Sequence, residues 1–183
     1  MKPIANLAAA LAMALCASSA PALAQEATEP AAEPSEDVGN NTAFGDWIVS
    51  CEAVTIKKTA CSLVQEQRLK ESGQLVARFV ALPVSDGAIL LAQVPMGVYL
   101  PGGAVYRFAG NDAQEQREMI WQRCAENVCE AAAPLSEEEL AVFAEEEALL
   151  FGFRPTAESE PVVLRVDISR FAEAVQKLRD SAS

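Results

Sequence analysis

Four of the five cysteines, Cys51, Cys61, Cys124 and Cys129, form two close pairs behind an N-terminal segment that reads as an export signal. That combination constrains the fold more than any other feature, because cysteines in an oxidising compartment pair and staple whatever elements carry them. Lys2 supplies a positive end, Ile4 to Ala17 is apolar, and Ala22-Leu23-Ala24 is a small-x-small cleavage site before Gln25. The expectation is a signal peptide over residues 1–24, cut between Ala24 and Gln25. The apolar run is about 14 residues against the ~20 needed to cross a bilayer, so no transmembrane segment is expected in the mature chain. Cys16 leaves with the signal, since Leu15 before it is not the small residue that lipidation requires.

Four remaining cysteines allow three connectivities. Nine residues lie between Cys51 and Cys61 and four between Cys124 and Cys129, so each pair can meet across a hairpin, which favours sequential pairing. A zinc site competes poorly, because neither spacing is a C-x2-C knuckle and the chain has no histidine. An exchanging dithiol is disfavoured by the acidic Cys124-Ala-Glu-Asn-Val-Cys129 context, which opposes the thiolate.

The missing histidine prunes further. Ser-His-Asp and Cys-His nucleophile arrangements cannot be built, nor can His-ligated metal sites. Two carboxylates could still act in hydrolysis, but 26 acids make their presence uninformative. Once Lys2 leaves with the signal, 13 basic residues face 26 acidic ones, a net charge of −13 over 159 residues. That balance excludes nucleic acid as a partner and reads as a solvated surface. No catalytic, cofactor-binding or metal-ligating residue is assigned, and no cofactor is expected.

Residues 25–43 are rich in Ala, Pro and Glu, carry Glu26, Glu29, Glu33, Glu36 and Asp37 without a base, and read as a disordered acidic leader. Residues 44–183 read as one domain. Trp47, Val49 and Cys51 alternate as in a strand with one buried face. Further strands are expected over Thr59 to Leu69, Gln74 to Leu82, Ala88 to Val94, Gly97 to Leu100, Ala104 to Phe108, Met119 to Cys124, Val128 to Ala132, Leu149 to Phe153 and Val162 to Val166. Asn111 to Glu118 reads as a loop. Ser136 and Glu139 form a capping box for a short helix with a stripe of Leu140, Phe143 and Ala144. Phe171, Ala174, Val175 and Leu178 recur at helical spacing near the C-terminus. Short strands with two helices indicate an all-β sandwich with peripheral helices, and periodicity leaves a closed barrel open as the alternative.

Single residues are read by the same logic. Trp47 and Trp121, each near a cysteine, are core packing against a disulfide. Asp46 is a turn residue, and Gly102-Gly103 after Pro101 is a hairpin turn with none of the context of a phosphate loop. The Glu137-Glu138-Glu139 and Glu145-Glu146-Glu147 runs are a solvated face, with a weak cation or basic-partner site as the alternative.

The order Phe44-Gly45-Asp46-Trp47-x-Val49-x-Cys51, Cys61-x-Leu63-x-Gln65, Val94-Pro95-x-Gly97-Val98-x-Leu100, Cys124-x4-Cys129-x-Ala131 and a closing Phe171-x-x-Ala174 resembles the bacterial invasion-associated locus B proteins over Phe44 to Leu178. Arg170 departs from the pattern, standing where a glycine usually precedes the closing phenylalanine. The resemblance implies a periplasmic or outer-envelope protein of immunoglobulin-like sandwich shape, with locally paired cysteines and no catalytic residues to carry over. The expected function is non-enzymatic: a macromolecular interaction module supporting the bacterial envelope or contact with a host cell, with an unidentified protein or envelope component as partner. The alternatives are a small-molecule or divalent-cation binding module and a carboxylate-based hydrolase.

Overall fold

Alternation of buried and exposed residues from Trp47 onward sets the first long strand, with Trp47 and Val49 buried and Ile48 facing out. The computed structural model describes residues 38–110 and 115–181. The signal segment with its Ala24–Gln25 junction, and the leader up to residue 37, lie outside the described residues. Among the described residues ten strands follow in chain order: β1 (Ala43–Phe44), β2 (Trp47–Thr55), β3 (Lys58–Arg68), β4 (Leu75–Val84), β5 (Gly87–Pro95), β6 (Ala104–Phe108), β7 (Arg117–Ala125), β8 (Val128–Ser136), β9 (Ala148–Phe153) and β10 (Val162–Asp167). Two helices, α1 (Glu137–Glu145) and α2 (Phe171–Ser181), interrupt and end the run.

All pairings given by the register are antiparallel, in the order β1-β2-β3-β4-β5-β8-β7-β6-β9-β10. β7 turns the corner. Its first residues, Arg117 to Met119, pair with β6, while Ile120 to Ala125 pair with β8 after a register shift near Trp121. The chain thus forms an all-β sandwich in which one strand belongs to both layers, and inward residues of the two layers interdigitate in one core.

Aromatic rings fill that core in two groups. Trp47 meets Phe171 at 4.9 Å, Phe171 meets Phe143 at 5.2 Å, and Phe143 meets Phe108 at 5.1 Å, so both helices are tied to the sheets through rings. Phe79 and Phe151, at 5.2 Å, with Phe153 at 5.8 Å from Phe151, occupy the other side. Such tilted and edge-on pairs exceed their area burial by about 0.5–1.5 kcal/mol each. Burial pushes the Tyr106 phenol above its ordinary value, opposed by the hydrogen bond it accepts from Arg117.

The helix signals act as read. Ser136 Oγ accepts from Glu139 N at 3.2 Å and Glu139 Oε2 accepts from Ser136 N at 2.8 Å, a complete capping box. Phe171, Ala174, Val175 and Leu178 are all buried. Ala144 is exposed, however, and Val142 packs instead. The buried stripe is turned toward Glu139, whose second carboxylate oxygen binds Arg117 at 2.9 Å.

Three expectations need correction. Gly97 to Leu100 is not a strand: Tyr99 N–H donates to Arg154 O at 2.9 Å, and Leu100–Gly102 then closes a 3-10 turn opened by Pro101. Pro101-Gly102-Gly103 is therefore not a hairpin turn. The sandwich also begins before Phe44. Val38 is buried, Val49 N–H donates to Thr42 O at 2.9 Å, and Asn40 Oδ1 accepts from Cys51 N at 2.9 Å, so residues 38–43 belong to the sandwich and not to the leader. Within Asn111 to Glu118, Arg117 and Glu118 already lie in β7, and residues 111–114 are outside the described residues.

Candidate binding groove

The cysteines sit at directly opposed positions of two hairpins. Cys51 faces Cys61 across β2 and β3, and Cys124 faces Cys129 across β7 and β8. Their sulfurs lie at disulfide distance, 2.12 and 2.01 Å. The second hairpin turns through Glu126 and Asn127, both at positive φ (52° and 72°), the backbone sense that suits a two-residue connection.

Trp47 is fully buried as expected, but its ring partner is Phe171, and its indole N–H donates to Asp167 O at 2.9 Å. Trp121 is partly buried against the core. Asp46 stands in the tight turn between β1 and β2, beside Gly45 at φ 61°, where its carboxylate accepts from Gln65 Nε2 at 3.4 Å. Arg170 pairs with Glu173 at 2.8 Å and lies 5.2 Å from the Phe44 ring centre, so it bridges α2 to the start of the sandwich.

The acidic runs do not converge on a common point. Glu139 is engaged by Ser136 and Arg117, and Glu137 is bound by Arg179. That guanidinium holds the Glu137 carboxyl below its ordinary range. Glu137 and Asp180 do line one cleft of about 460 Å³ with Arg179 between them, but a carboxyl kept ionised by arginine is poorly suited to donate a proton. Among the described residues no group of three or more His, Cys, Asp or Glu side chains is placed to hold a metal ion. No helix among them is long and apolar enough to cross a membrane.

An apolar concavity lies where the layers splay. Near Trp47 the sandwich is closed by the indole bond to β10 and by the helices. Toward the other end, β3 runs on to Arg68 while the β2 register stops at Ile48 opposite Val64, so the continuation of β3 is paired with β4 alone. A groove of about 410 Å³ opens there. Leu69, Leu75 and Val76 from the β3–β4 hairpin form one wall, Val162 and Leu164 of β10 the other, and Met96 and Phe153 lie between. None of its lining residues is ionisable. Its size falls within the range of ligand sites, roughly 300–1,000 Å³. The sequence reading did not find this groove, because its walls come from segments nearly a hundred residues apart. The only local trace was the Val94-Pro95-x-Gly97-Val98 motif, which supplies its rim.

The family profile described as invasion associated locus B (IalB) protein matches residues 47–179. The chain belongs to this family. Among solved structures, the invasion associated protein B of Bartonella henselae superposes with a TM-score of 0.63 at 16% identity, over 76% of this chain and 94% of that one. The shared feature of the two is the fold. No curated protein matches this IalB-family chain in sequence.

Proposed function

We propose that this IalB-family protein is exported, with cleavage between Ala24 and Gln25 and the acidic leader acting as a spacer, and that it works without catalysis as an interaction module of the cell envelope. Its sandwich, stapled at two hairpins, holds a recognition surface in shape. One observation carries the reading: the apolar groove between the β3–β4 hairpin and β10 is lined without a single ionisable side chain, so it can recognise but cannot supply a general acid, base or nucleophile. Family membership supports the envelope setting, and cysteines opposed at bonding distance support an oxidising compartment. The same features support a periplasmic or outer-envelope location, and host contact is one use such a module could serve.

The test is photo-cross-linking in the native bacterium with a reactive side chain at Met96, which is half-exposed in the groove. A discrete adduct with one envelope component is expected, together with a mature N-terminus at Gln25. Cells that yield no adduct at this or other surface positions would overturn the interaction reading.

A further inference from the structure

β10 ends the strand order, and among the described residues no strand pairs with its outer edge. The groups it leaves open follow from the ladder. Ala109 N–H donates to Ala148 O at 2.8 Å, which continues the β6–β9 register, so Ala148, Leu150 and Gly152 of β9 bond toward β6. Leu149, Phe151 and Phe153 then bond the other way, to Val166, Leu164 and Val162 of β10. Ile168 N–H to Glu147 O at 2.9 Å fits the same alternation. Val163 and Arg165 are left with their N–H and C=O groups aimed outward, and both residues are exposed. The next outward carbonyl, that of Asp167, is the one taken by Trp47.

The open stretch of β10 is therefore the stretch beside the groove. Val162 and Leu164 turn their side chains into it, and the wall opposite belongs to the part of β3 and β4 that β2 does not reach. A strand laid along Val163 and Arg165 would send every second side chain down between these walls.

We propose that the groove and the β10 edge together form a strand-addition site, which takes an extended peptide segment of a partner protein with alternating apolar side chains and a basic residue at one end. This deepens the interaction reading above and rests on it. The uncharged lining calls for apolar side chains, and exposed Glu160, just ahead of Val162, together with the net −12 of the chain, favours a cation beside them. The same charge weighs against a second copy as occupant, since two such chains repel.

The test pans the full oxidised chain against a random dodecapeptide library displayed on phage, then measures the selected peptides by fluorescence anisotropy. Enriched sequences should alternate apolar with polar residues and carry a lysine or arginine, and N-methylation of alternate peptide amides should weaken binding at least tenfold. Val163→Pro removes an outward N–H while the β9 ladder stays intact, and should weaken binding at least tenfold with an unchanged circular dichroism spectrum. Met96→Glu, at a half-exposed groove position, should do the same and serves if the proline variant fails to fold. Failure to enrich any peptide would overturn the proposal. So would ligands that tolerate N-methylation, preference for myristate over peptide with no effect of Val163→Pro, or a dimer in sedimentation that β10 variants dissolve. A cellular partner whose cross-links map away from β10 removes strand addition and leaves the interaction reading standing; absence of any partner in cells removes that reading itself.

Discussion

The Trp47 indole N–H donates to the Asp167 carbonyl oxygen at 2.9 Å, and this bond joins the first long strand to the last across 120 residues of sequence. It stands at the point where an otherwise open strand order comes nearest to closing. Trp47→Phe keeps a ring against Phe171 but removes the donor, and should cost about 1–2 kcal/mol. Trp47→Ala also empties a fully buried site and should cost about 3–5 kcal/mol. Urea unfolding followed by circular dichroism separates the two. Equal losses would mean that the indole hydrogen bond alone matters and the ring packing adds nothing.

The two cysteine pairs should contribute unequally. Cys51 and Cys61 are 10 residues apart in sequence and Cys124 and Cys129 are 5 apart. Loop-closure entropy then gives about 3 kcal/mol for the first bridge and about 2 kcal/mol for the second. Non-reducing peptide mapping of the exported protein should recover the two sequential pairs and no crossed one. Paired Cys→Ala variants should lower the unfolding free energy in that order, the β2–β3 variant by more.

Much of this architecture was legible because it is written locally. The alternation from Trp47, the Ser136–Glu139 box and the 3–4 spacing of Phe171, Ala174, Val175 and Leu178 each mark an element without reference to the rest of the chain. Gly97 to Leu100 misled because its apolar residues suit a strand, whereas the Tyr99 N–H is spent on Arg154 in a segment fifty-five residues later. Ala144 misled for a related reason: which face of α1 is buried depends on how Leu140, Val142 and Phe143 pack against the core, a contact between elements. The groove lay furthest from view. It exists because β2 gives out while β3 continues and because β10 ends the order, and neither fact is a property of any single window of sequence. The absence of histidine excludes Ser-His-Asp, Cys-His and His-ligated chemistry without reference to the fold.

Acid should act partly through Glu137. Its hydrogen bond from Arg179 lowers its folded value below the ordinary 4.5, so the unfolded chain binds the proton more readily. The resulting stabilisation is complete above that ordinary value and is lost as pH falls through the lower folded one. Glu173, lowered chiefly by its hydrogen bond from Arg170, has the same sign. Both carboxylates are solvent-exposed, so the effect should be modest and should shrink with added salt. Melting temperatures measured from neutrality down to about pH 3 should fall less steeply for Glu137→Gln than for the parent, with the curves converging at the acid end. Parallel curves would show that the Arg179 contact contributes nothing in solution.

Gly87 opens β5 opposite Val84, after the Ser85-Asp86 connection, and it also pairs with Ser136 at the start of α1. Its φ of 137° is a backbone state that side chains rarely adopt, and a Cβ there would fall 1.9 Å from Leu135 O. Backbone, unlike the tip of a flexible side chain, cannot move aside without shifting the β5–β8 ladder and the cap of α1. Gly87→Ala should therefore cost at least about 2 kcal/mol, the sum of an unfavourable φ and a displaced strand. Gly73 provides the control. It also has positive φ, 68°, but nothing lies within 4 Å of its would-be Cβ, so Gly73→Ala should cost only about 1 kcal/mol. Equilibrium unfolding of the two variants gives the comparison. Equal costs would show that the close approach to Leu135 relaxes freely, and hydrogen exchange of the β8 and α1 amides would then reveal where the chain gives way.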